Sequence, residues 1–98
     1  MNNMTSIKML GRVIKIRKVK GLLERNIAGH YISSEGIIEV DYRLKSEDFR
    51  KTLLHEIFHA FSDRSGSRQF LSYQSEEMLC ELFASFIDDN FTIKQKKK

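Results

Sequence analysis

Two histidines and a glutamate lie close together in LLHEIFHA, residues 53–60: His55, Glu56 and His59. On an α-helix, residues four apart lie about 40° from eclipsed and about one turn apart, so both imidazoles leave one face. Two ring nitrogens can then meet one zinc ion. Glu56, beside the first histidine, is placed to hold a zinc-activated water and take its proton as it attacks a carbonyl. Zinc brings the pKa of such a water to roughly 7. By composition alone the pattern is expected in well under ~1% of random chains of this length. Its flanks, residues 52–54, 57–58 and 60–61, carry no charge. The plainer reading is a pair of surface or capping histidines without a metal.

A catalytic zinc takes three protein ligands and keeps a fourth position open. The longer pattern HExxHxxGxxH is not met, because Ser62 and Ser65 stand where Gly and His are required. His30 lies in a strand or loop, where a surface role is commoner. Asp63, four past His59, faces the wrong way along the helix for easy chelation. What remains is SEEMLCELFA, residues 75–84. Glu77 and Glu81 share a helical face that Ala84 continues, with an apolar stripe opposite. An acidic face with a small residue can pack closely on the histidine helix. One carboxylate would bind zinc and the next would accept a proton from an imidazole nitrogen. Glu77 is the favoured ligand, with Glu76 and Glu81 as alternatives or as carboxylates that hold a histidine. The plainer reading of these acids is a solvated helix start that complements the dipole. Cys80 is more often a small buried hydrophobe than a ligand. Tyr31, Tyr42 and Tyr73 are candidate donors to a developing oxyanion, and the sequence does not choose among them.

The elements that must position these residues follow from the hydrophobic period. Over residues 7–19 apolar and basic side chains alternate, which predicts a half-buried strand, or two strands hinged at Gly11. A second strand is expected near His30, Tyr31 and Ile32, then a turn over residues 33–36. The clearest strand is GIIEVDYRL, with Ile38, Val40 and Tyr42 facing one way and Glu39 and Asp41 the other. It precedes the histidine helix, so its edge is a candidate for pairing with an extended peptide. Ser46 is the expected N-cap of that helix, with Glu47 and Asp48 in its first turn. Phe49, Leu53, Leu54, Ile57, Phe58 and Phe61 recur at helical spacing to about Ser62. Residues 62–69 read as a polar loop broken by Gly66. A second helix is expected from about Ser75 to Asn90, burying Leu79, Leu82, Phe83 and Phe86. Strands first and helices after argue for an α+β class: a short N-terminal β-sheet, the HExxH helix and a C-terminal glutamate-bearing helix.

At 98 residues the chain has room for one domain, near the lower end of what buries a self-sufficient core. The domain is expected to span residues 1–93, followed by a basic tail, 94–98. Of 17 basic residues, Lys94, Lys96, Lys97 and Lys98 lie in that tail, leaving thirteen against thirteen acidic residues elsewhere. The first 25 residues are basic, with seven cations against Glu24. A solvated tail is the plain explanation for the lysines; attachment to nucleic acid or anionic lipid is the alternative. The single Cys80 excludes an internal disulfide and fits a reducing compartment. No signal-like segment and no 18-residue apolar run occur, so no membrane span and a cytoplasmic location are expected.

HEIFH followed by an EExxxE helix resembles the gluzincin metallopeptidases, thermolysin among them, whose ligand helix carries Glu-x-x-x-Asp. Glu77-Met-Leu-Cys-Glu81-Leu-Phe-Ala84 matches that pattern with Glu for Asp. More closely, GHYISSEGIIEVDYRL, TLLHEIFHAF and EEMLCELFASFIDDN look like small phage- or prophage-encoded metallopeptidases related to the ImmA/IrrE and minigluzincin group. That resemblance covers roughly residues 7–90. It implies a minimal zincin-like domain with Zn²⁺ on His55, His59 and Glu77, Glu56 as general base and Glu81 holding a histidine. It implies hydrolysis of peptide bonds in a protein or peptide substrate. Two features depart from the group: the loop between the helices is short, and the Glu-Ala-Asn/Asp signature of the ImmA/IrrE type is missing. The rival readings are a non-catalytic zinc-binding regulatory protein and a small basic nucleic-acid-binding module. Against the first, a purely structural site has no need of Glu56. Substrate identity and oligomeric state are not legible.

Overall fold

The alternation of aliphatic and basic residues folds into a hairpin, β1 (Ser6–Met9) and β2 (Arg12–Val19), in a computed structural model that describes residues 5–92. The expected hinge is a two-residue turn, Leu10-Gly11, with positive φ at both positions, the twist that suits a tight antiparallel hairpin. β3 (Gly29–Ile32) and β4 (Ile37–Asp41) form a second hairpin around the expected turn. β4 then docks parallel to β2, giving a four-stranded mixed sheet in the order β1-β2-β4-β3. Two helices follow, α1 (Ser46–Ser65) and α2 (Tyr73–Asn90), so the architecture is α+β. β4 is an inner strand, bonded on both sides. The peptide-pairing edge expected of it belongs instead to β3 at the sheet margin.

One sheet face buries Met9, Ile14, Ile16, Ile38 and Val40 against Leu53 and Ala60 of α1. α1 lies across β3 and β4, and Gly29 lets it approach. A Cβ at that position would stand 2.8 Å from Thr52 Cγ2 and 3.0 Å from the Glu39 carbonyl oxygen. This close approach is one turn before His55, so it sets the height of the histidines above the sheet.

The helix ends differ from the sequence reading. α1 is capped by Lys45 rather than Ser46, whose hydroxyl accepts from Arg50 instead. It continues past Ser62 and stops at Gly66, whose left-handed φ of 82° returns its N–H to the Asp63 carbonyl. The expected polar loop is therefore the end of α1 plus a 3₁₀ turn, Ser67–Phe70. α2 starts two residues early because Ser72 is its N-cap, accepting the Ser75 N–H at 3.1 Å.

Two expectations about facing are overturned. Asp41 has no solvent exposure, and Tyr42 lies beyond the strand with half its surface in solvent. The segment after β2 crosses the end of β4 here, and Asp41 accepts from the Leu23 N–H and from the backbone and guanidinium of Arg43. On α2 the buried positions are Glu76, Cys80 and Ala84, while Leu79, Leu82 and Phe86 face solvent. Only Phe83 of the expected stripe turns inward, its ring 5.1 Å from that of Phe58. Phe61, expected on the buried face of α1, is also exposed. α2 turns its small and acidic side inward because α1 presents imidazoles there, and these need carboxylate partners. The tail, residues 94–98, lies outside the described residues. No helix among the described residues is long and apolar enough to cross a membrane.

Candidate metal centre

α1 projects His55 and His59 from one face, one turn apart, and α2 crosses that face with Glu76, Glu77 and Glu81. The two Nε2 atoms are 3.2 Å apart. The Glu77 carboxylate faces both, with Oε1 2.6 Å from His59 Nε2 and Oε2 3.3 Å from His55 Nε2. The outer nitrogens are held separately. His55 Nδ1 lies 2.6 Å from Glu81 Oε1, and His59 Nδ1 lies 2.5 Å from Glu76 Oε2.

A carboxylate only accepts, so Glu81 and Glu76 draw a proton to each Nδ1, and Glu77 Oε1, 2.6 Å from His59 Nε2, draws one there as well. With the Nδ1 protons held by Glu81 and Glu76, a cation that displaced the Nε2 proton would meet two imidazole lone pairs and one carboxylate. Two imidazoles and one carboxylate are the ligand set of many catalytic zinc sites. Tetrahedral zinc with bonds of about 2.0–2.1 Å separates its ligand atoms by about 3.3–3.4 Å. The His55–His59 and His55–Glu77 separations, 3.2 and 3.3 Å, are close to that spacing, while His59–Glu77 at 2.6 Å is a hydrogen-bond distance that a metal would have to widen.

Glu76 is the anchor behind His59. It accepts Ser62 Oγ and Arg68 Nε at 3.1 Å each, and Arg68 Nη2 at 3.0 Å. Burial works against its ionisation, but the hydrogen bonds from Arg68, His59 and Ser62 and the charge of Arg68 outweigh it and hold its pKa below the usual value. Arg68 also reaches the His59 carbonyl oxygen at 3.4 Å. Ser62 and Arg68 were missed in the sequence, and no spacing rule points to them. Ser62 meets Glu76 where α1 packs on α2, and Arg68 meets it because the 3₁₀ turn folds back beside them.

Glu56 is buried, and burial raises its pKa from the usual value, with the neighbouring histidines opposing that shift. It lines a groove of about 630 Å³ together with His55, Glu77 and Glu81, walled by residues 26–29 and by Thr52 and Tyr73. Cys80 has no solvent exposure, and its sulfur lies with one nitrogen of each histidine inside a 4.8 Å cluster. Burial, aided by Glu76, Glu77 and Glu56, pushes its thiol up to about 12. Glu77 makes contacts of 2.6 and 3.3 Å to the Nε2 atoms of His59 and His55.

The remaining candidates separate cleanly. Tyr31 donates to Asp63 Oδ2 at 2.7 Å, and Ser33 donates to the same oxygen, so both Tyr31 and Asp63 stand outside the cluster. His30 pairs with Glu39 at 2.7 Å on the sheet. Tyr42 is not on the groove. Of the three tyrosines, Tyr73 alone lines it, with its ring largely exposed at the rim. No family model matches the sequence, and comparison with curated proteins and with solved structures gives no match.

Proposed function

We propose that the chain is a minimal zincin-like metallopeptidase that hydrolyses peptide bonds in protein or peptide substrates. The observation that carries this reading is the convergence of His55 Nε2, His59 Nε2 and the Glu77 carboxylate, with both Nδ1 atoms anchored on separate glutamates. Zinc held there would supply a Lewis acid and bring the pKa of water into the neutral range. Glu56 takes a proton from the attacking water and returns it to the departing amine. Burial, which raises its pKa, favours holding that proton before the return. Tyr73 donates its phenolic proton in a hydrogen bond to the developing oxyanion. The free edge of β3 meets the groove at Gly29, where an extended substrate can add as a strand.

The test is hydrolysis of an unfolded protein such as casein by zinc-loaded wild type, Glu56→Gln and Tyr73→Phe. Glu56→Gln keeps its zinc and loses activity by at least ~10²-fold. Tyr73→Phe keeps its zinc and loses about 10²-fold in kcat. Zinc-loaded wild type no more active than Glu56→Gln would favour the regulatory zinc protein. A nucleic-acid reading has its own observation, the exposed Lys8, Lys15 and Arg17 on the sheet face turned from α1. It requires salt-dependent binding that a chelator leaves unchanged.

A further inference from the structure

The outward side of α2 is apolar. Met78, Leu79, Leu82 and Phe86 are 58, 37, 60 and 58% exposed, with exposed Glu81 beside them and Asp89 at the carboxyl end of the face. An apolar hollow of about 360 Å³ lined by Phe58, Phe61, Phe70, Leu71 and Leu79 extends this face past the start of the helix. Phe91 extends it at the other end, its ring 5.9 Å from that of Phe86. Together these side chains expose about 700 Å² of apolar surface, taking aromatic side chains at ~200 Å² each. That exceeds the ~300–600 Å² of the largest patch on typical monomers. It approaches the ~800 Å² that each partner contributes to a stable interface.

We propose that this face is covered by the same face of a second copy, with the two α2 helices antiparallel about a twofold axis near Leu82. The stripe is self-complementary in that arrangement. α2 runs Tyr73–Asn90, so Leu82 stands at its middle. An axis there sets Met78 of each copy opposite Phe86 of the other and lays the stripe on itself. Charge selects the same direction. Asp88 and Asp89 lie at the carboxyl end, and Asp88 is already paired with Arg50 at 3.0 Å. Antiparallel packing brings Asp89 to the amino end of the partner α2, where helix dipoles favour an anion. Parallel packing would stack acids on acids. Glu76, Glu77 and Glu81 face α1 or the groove, so the interface leaves the metal centre open and does not depend on its chemistry.

The experiment is sedimentation equilibrium of the full chain up to about 100 µM, for wild type and Leu82→Glu, with circular dichroism as the folding control. Wild type sediments as a dimer, and Leu82→Glu raises the dimer dissociation constant at least ~30-fold while keeping its helical signal. Leu82→Cys supplies an independent reading, because two cysteines at the axis oxidise to a disulfide-linked dimer. A monomeric wild type, or a dimer indifferent to Leu82→Glu, overturns the proposal. Failure of Leu82→Cys to cross-link overturns the axis even if Leu82→Glu does not fold.

Discussion

Glu76, Glu77 and Glu81 are drawn from one short acidic run, yet each faces a different nitrogen environment. Glu77 reaches both Nε2 atoms, while Glu81 and Glu76 hold the Nδ1 atoms of His55 and His59. Carboxylates in that position fix the imidazole tautomer and raise its basicity toward a metal. Glu81→Gln is therefore expected to weaken zinc binding about 10–100-fold without loss of fold, since Glu81 is exposed. Competition against a chromophoric chelator measures this, and an unchanged affinity would remove Glu81 from the site. The spacing of His55, Glu56, His59, Glu77 and Glu81 was enough to nominate all five. Glu76 was nominated too, as an alternative ligand or a carboxylate that holds a histidine. Which of these tasks it takes was not legible, because adjacent helical residues point about 100° apart and only the crossing of α1 and α2 decides which nitrogen each meets.

At the scale of elements, four strands and two helices follow from the switch between period two and period 3.6. What the pattern misjudged was facing. Hydrophobic burial ordinarily decides which side of a helix packs, and on α2 that rule picks Leu79, Leu82 and Phe86. The largely buried imidazoles of α1 pair with the carboxylates of α2, and that pairing turns Glu76 inward instead, with Cys80 on the same side. Asp41 escaped in a similar way: its burial depends on Leu23 and Arg43, which reach it from a connection with no periodic signal. The α1–β3 contact makes a separate prediction. Gly29→Ala forces a methyl group onto Thr52 and the Glu39 carbonyl, at an expected cost of about 1–3 kcal/mol in urea unfolding. Adding Thr52→Ser removes the 2.8 Å contact and should recover much of that loss. Strict additivity of the two changes would contradict the packing account.

For the whole molecule, the dependence of stability on pH follows from Asp41. Hydrogen bonds from the Arg43 side chain hold its pKa well below the usual carboxylate value despite burial, with the Arg43 and Leu23 backbone N–H groups assisting. A depressed folded-state pKa means the stabilisation is fully present above the unfolded value of about 3.9 and disappears as pH falls toward the folded one. Asp63, lowered by hydrogen bonds from Ser33 and Tyr31, acts with the same sign. Urea midpoints are expected to fall for wild type below about pH 5. Asp41→Asn should start lower at neutral pH and lose less, so the two curves converge. Parallel curves would show that Asp41 is not the group responsible.

The most direct test of the central claim is the zinc content of protein purified without added metal, for wild type beside His59→Ala, Glu77→Ala and Glu56→Gln. One zinc per chain is expected in wild type and in Glu56→Gln, with loss from the other two. Wild type that holds no zinc even after reconstitution would contradict the metal centre and the peptidase built on it.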